Sequence, residues 1–183
     1  MTLAAPRIEP RAVARDHLLL VAALAGCVSL TARGVSWRAI AITMVVGAGA
    51  LLAPPRTSAR APLRTCALAA ALGIGAFVAV RLRLVVLPYS GTMIAGAASI
   101  VGAVAEEIFF RRLVYDALVR WGAPVAMGGA ALAFAAVHVP AYGFAVLPID
   151  LAAGLILGWQ RWCTGTVTVP SVTHVAANVL SML

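Results

Sequence analysis

The sequence predicts an all-α fold, a polytopic bundle of about seven transmembrane helices, and three observations carry that prediction. Hydrophobic residues make up 63% of the 183-residue chain and charged residues only 11%. The mean hydropathy is +1.01, far outside the range of soluble globular proteins. The apolar residues fall into runs that approach the roughly 20 residues needed to cross a hydrocarbon core of about 30 Å.

The elements follow in order. The N-terminus carries arginines, but no small-residue cleavage pattern follows its first hydrophobic run, so a first spanning helix is expected there rather than a removed signal peptide. Spans are read at 18–30, 40–53, 63–80, 92–119, 125–140, 144–160 and 167–183, the first two being short. The connections TARGVSWR, APPRTSARAPLR, VRLRLVVLP and VRWGAP are marked by arginine, proline and glycine, and in the last of them Gly122 and Pro124 make a tight turn. No internal repeat or low-complexity linker divides the chain, which reads as a single membrane domain.

Charge sets the orientation. The formal net charge is +8 and the pI is near 11.0, but every basic residue is an arginine and none gathers into the patch that a nucleic-acid partner requires. The arginines act as topological signals. The N-terminal tail and even-numbered connections hold nine of them (7, 11, 15, 56, 60, 64, 112, 120 and 161), and the odd-numbered connections hold four (33, 38, 81 and 83). A multi-pass protein of the cell membrane with a cytoplasmic N-terminus is therefore expected. Cys27, Cys66 and Cys163 lie in apolar runs without metal-type spacing and are read as small buried thiols.

The fourth span is different because it carries Glu106, Glu107, Arg111 and Arg112 in the stretch GAVAEEIFFRRLVY. Charges at membrane depth are costly and mark function. If the fourth and fifth helices form a hairpin about Gly122, Glu106 and His138 each lie sixteen positions from the turn, at an equal depth of about 24 Å. Glu107 and Arg111 are four apart and pair along one face, whereas Glu106 points about 100° away and is left a free acid. Phe109 and Phe110 keep the surroundings poor in water, which suits general base work. Arg112 and Asp116 repeat the spacing as an interfacial pair. Phe134 and His138 share a helix face in LAFAAVHVPAYG, as do His174 and Asn178 in PSVTHVAANVL.

These three motifs, in order and on apolar helices, resemble the signatures of the CPBP family of intramembrane endopeptidases, which includes type II CAAX prenyl proteases and bacteriocin-processing or self-immunity proteins. The resemblance covers about residues 92–183 and separates a motif-free N-terminal part, 1–88, from a catalytic helical core, 89–183. It implies hydrolysis of peptide bonds in a membrane cavity open toward the cytosol, with a membrane-associated peptide or protein as substrate and the lipid bilayer as surroundings. By the same resemblance Glu106 and His138 activate water, and His174 and Asn178 stabilise the oxyanion. Glu107 and Arg111 form a structural pair, and Phe134 meets the substrate. One departure is Arg112, where many relatives carry glycine. A glutamate, two histidines and an asparagine have the make-up of a zinc site with an open water position, but the glutamate–histidine water mechanism needs no ion and asparagine is a poor zinc ligand, so no cofactor is expected. The competing class is a noncatalytic membrane protein, a scaffold or a small proton-coupled transporter that uses the buried acid and histidines as a relay.

Overall fold

The computed structural model describes residues 60–83 and 93–183, and every regular element among them is helical. The spans expected at 18–30 and 40–53 lie outside the described residues. Helix α1 is Leu63–Arg83. Helix α2, Met93–Glu107, runs directly into a π-helical turn, Ile108–Val114, and then into α3, Tyr115–Leu118. A short 3-10 turn, Val119–Trp121, leads to Gly122, whose φ of 101° reverses the chain. The next helix, α4, is Ala123–Tyr142 and begins with Pro124 in its first turn, where the missing N–H costs nothing. Gly143, at φ 78°, and a 3-10 turn at Phe144–Val146 form the opposite corner. Helix α5, Leu147–Thr164, and α6, Thr168–Met182, complete the described chain.

Each expected run from residue 63 onward is thus helical, with two differences. The long run at 92–119 is not uniform α-helix, because the π turn begins immediately after the paired glutamates. Moreover, among the described residues only Leu63–Arg83 and Phe144–Thr164 are both long and apolar enough to cross a membrane, while Ala123–Val139 is apolar but shorter. Helices α2 and α6 have 15 residues each, or about 22 Å of rise, less than a hydrocarbon core.

Helices α4 and α5 lie antiparallel and close. A Cβ added at Gly154 would stand 2.8 Å from the Cα of Ala131, and one added at Gly158 would stand 3.4 Å from that of Met127. Small residues let the backbones approach, as they do between helices in membranes. The amide of Ala61 donates to the Thr164 carbonyl at 3.0 Å, joining the start of α1 to the end of α5. Arg81 Nε donates to the Leu180 carbonyl at 3.2 Å, joining the end of α1 to the end of α6. The bundle therefore has one end with Arg60, Arg64 and Gly122 and another with Arg81, Gly143 and Leu180.

The core runs along α4 from its Gly122 end as far as Val137. Phe109, Phe110, Leu113, Val114 and Tyr115 from the π turn and α3 pack against Ala126, Ala130, Phe134 and Val137 of α4. Buried polar groups tie the helices together. Gln160 Nε2 donates to the Ala69 carbonyl at 2.8 Å and to Thr173 Oγ1 at 2.9 Å, linking α1, α5 and α6. Arg161 departs from its expected place in a connection: it lies within α5 and is only 6% exposed. Its Nε donates to the Arg111 carbonyl in the π turn, and its Nη2 donates to Asp116 Oδ1, both at 2.9 Å. Asp116, expected to pair with Arg112 along its own helix, has a partner in α5.

Candidate active site

The site lies toward the Gly143 end of the bundle, where α2, α4, α5 and α6 meet. His138 is four residues from Tyr142, the last of α4, so it stands about 6 Å along the axis from that end and about 24 Å from Gly122.

Glu107 is fully buried and carries two partners. Its Oε2 is 3.1 Å from Arg111 Nε, and its Oε1 meets His174 Nδ1 at 2.8 Å. The imidazole thereby ties α6 to α2 and presents its other nitrogen to the neighbouring acid: Glu106 Oε2 is 3.9 Å from His174 Nε2. The Glu106 side chain is 27% exposed. One histidine thus stands between two adjacent glutamates, and the Nδ1 contact determines which nitrogen is left for chemistry. Arg111, itself fully buried, also donates through Nη2 to the Gly154 carbonyl at 3.4 Å.

His138 is held differently. Its Nδ1 is 2.8 Å from the Phe134 carbonyl one turn back and 3.4 Å from Asp150 Oδ2 in the first turn of α5. A carbonyl only accepts, so Nδ1 carries the hydrogen and Nε2 keeps the lone pair in the neutral ring. The Tyr142 ring stacks on the imidazole with centroids 5.9 Å apart.

Phe134 separates the two histidines. Its ring centroid is 4.7 Å from that of His138, 5.7 Å from that of His174 and 5.4 Å from that of Phe110, and the Arg111 guanidinium carbon sits 4.8 Å from the centre of the Phe134 ring. The side chain expected to meet substrate is 4% exposed and serves as a wall. Asn178 Nδ2 donates to Ser99 at both Oγ, 3.0 Å, and the backbone carbonyl, 3.1 Å. The carbonyl settles the amide orientation, and both amide hydrogens are used to clamp α6 to α2.

Sequence reasoning did not single out Asp150, Ser99 or Arg161. Asp150 had a signal, as the one acid in the apolar run 144–160. Ser99 and Arg161 had none, since a serine or an arginine near a helix end is ordinary. As for a metal, among the described residues no three His, Cys, Asp or Glu side chains are grouped to hold one. Both histidine Nδ1 atoms and both Glu107 oxygens already have partners, which leaves the two Nε2 atoms and Glu106 for chemistry.

A protein-family description, Type II CAAX prenyl endopeptidase Rce1-like, matches residues 88–180, which contain all three motifs. No curated protein and no solved structure matches the chain.

Proposed function

The chain belongs to the Rce1-like family of type II CAAX prenyl endopeptidases, membrane-embedded proteins of the CAAX protease type, and from that premise we propose that it is a multi-pass intramembrane endopeptidase acting on membrane-associated peptides or proteins. The observation that carries this reading is the placement of His174 between Glu107 and Glu106, because it leaves one carboxylate committed and its neighbour available.

Glu106 takes the proton of the attacking water. His138, whose Nδ1–H faces the Phe134 carbonyl, orients that water through Nε2, then receives the proton from Glu106 at Nε2 and passes it to the leaving amine. As the water oxygen bonds to the scissile carbon, the carbonyl electrons move onto oxygen, and His174 Nε2 donates to that oxyanion in its doubly protonated form. Asn178 joins it by exchanging its bond to the Ser99 hydroxyl for one to the oxyanion while keeping the Ser99 carbonyl. In a site poor in water each donor counts for more than in bulk solvent. The scissile C–N bond breaks as the amine accepts the proton. About seven spans with a cytoplasmic N-terminus complete the arrangement, and no metal takes part.

The test uses full-length protein in lipid nanodiscs and internally quenched peptides ending in Cys-aliphatic-aliphatic-X, with and without a prenyl group. Glu106→Gln lowers cleavage by about a hundredfold or more, and a strong chelator leaves the wild-type rate unchanged. A wild-type protein that cleaves neither peptide returns the noncatalytic reading. Chelator-sensitive, zinc-restored cleavage reassigns Glu106, His138 and His174 as ligands.

A further inference from the structure

Asp150 lies in the first turn of α5, directly after the Gly143 corner. Its side chain is 17% exposed, and its Oδ2 is buried with no hydrogen-bond partner among the described residues. Leaving a carboxylate oxygen in that condition costs free energy unless something offsets it. An acid at a helix N-terminus interacts favourably with the helix dipole, which accounts for the residue type. It does not account for the direction, since an outward carboxylate would serve the dipole equally and stay hydrated. Oδ2 instead faces His138 Nδ1 at 3.4 Å.

On the endopeptidase reading above, we propose that Asp150 is a positioning residue for His138, the carboxylate that balances the imidazolium formed when Nε2 accepts a proton. The Phe134 carbonyl orients the ring but is neutral. The other charges around the site are already placed elsewhere. Glu107 is bound to Arg111 and His174, and Glu106 faces His174 Nε2. Arg111 lies against the Phe134 ring and opposes a second positive charge nearby. His174 is across that ring, and Tyr142 stacks on His138. A buried carboxylate beside the Nδ1 side of a histidine whose Nε2 handles the proton stabilises the imidazolium by its charge, one of the parts an aspartate plays behind a general base.

The test compares full-length wild-type protein with Asp150→Asn and Asp150→Glu on the same quenched peptides, alongside nitrogen-15 spectra of the histidine rings. The chain has three histidines, at positions 17, 138 and 174, and His138→Gln identifies the relevant signals. Asp150→Asn preserves size and removes charge, so kcat falls by about a hundredfold with KM and unfolding temperature nearly unchanged, Asp150→Glu recovers part of the rate, and the His138 signals move while those of His174 stay. A wild-type kcat in Asp150→Asn, or His138 signals that do not move, overturns the assignment while leaving the protease reading intact. If wild-type protein cleaves neither peptide, the protease reading fails, and the His138 signals alone decide for or against the pairing.

Discussion

His174 meets Glu107 through Nδ1 at 2.8 Å and faces Glu106 through Nε2 at 3.9 Å, so two identical neighbours in sequence have different surroundings. Glu107 is fully buried, meets His174 at 2.8 Å and forms an ion pair at 3.1 Å with the equally buried Arg111. Glutamine at 107 offers one carbonyl oxygen where two are needed and turns its amide hydrogens toward a donor. Glu107→Gln therefore costs about 3–5 kcal/mol, the range for breaking a buried pair while one charge remains, and it loosens His174 as well. Glu106→Gln, at a side chain 27% exposed, changes stability by no more than about 0.5 kcal/mol. Thermal unfolding of the two variants in one detergent measures the difference, and equal midpoints would remove the distinction between the glutamates.

The π turn at Ile108–Val114 and the close pair α4–α5 set where those residues stand. A π turn follows the glutamates and buries Phe109, Phe110 and Arg111 in succession, which an α-helix, turning 100° per residue, does not do on one narrow face. Arg161 reaches across from α5 to the Arg111 carbonyl within that turn. Close approach of α4 and α5 is what allows this reach, and Gly154 is its tightest point. A methyl group there would stand 2.8 Å from the Ala131 Cα, whereas one at Gly158 would meet Met127 at an ordinary 3.4 Å. Gly154→Ala accordingly destabilises by about 1–3 kcal/mol through overpacking and lowers cleavage, because it moves the carbonyl that receives Arg111 Nη2. Gly158→Ala stays within about 0.5 kcal/mol of wild type. Unfolding midpoints and peptide cleavage of both variants check the contrast, and equal tolerance would mean that the helices part without strain.

Across the whole molecule, the two corners of the α4 helix face opposite sides of the bundle, with the apolar core between the site and Gly122. With the buried Arg161 removed from the count, the exposed arginines in the described part are Arg60, Arg64 and Arg120 toward Gly122 and Arg83 toward Gly143. That excess predicts a cytoplasmic Gly122 turn. In a background lacking the native cysteines, Phe144→Cys, at a position 78% exposed, is labelled from outside intact cells, and Trp121→Cys, 54% exposed, only after permeabilisation. The reverse pattern overturns the arginine argument. Labelling of both from one side would mean that α4 does not cross the membrane.

Composition and periodicity alone determined that the expected runs among the described residues are helical, that Glu107 and Arg111 share a face, and that Phe134 with His138 and His174 with Asn178 do the same. These are local facts, following from 3.6 residues per turn and a 1.5 Å rise. The matched distances of Glu106 and His138 from Gly122 follow from the same rise once the turn is recognised. Tertiary structure alone decided that Glu107 takes His174, that Asp150 stands behind His138, that Ser99 holds Asn178 and that Arg161 enters the core. Each of those contacts joins different helices, and it depends on how far one helix is rotated and shifted against another. That is set by side-chain packing over the whole interface, above all the absence of a side chain at Gly154 and the width of the π turn, and the spacing of residues along a single helix carries no record of it.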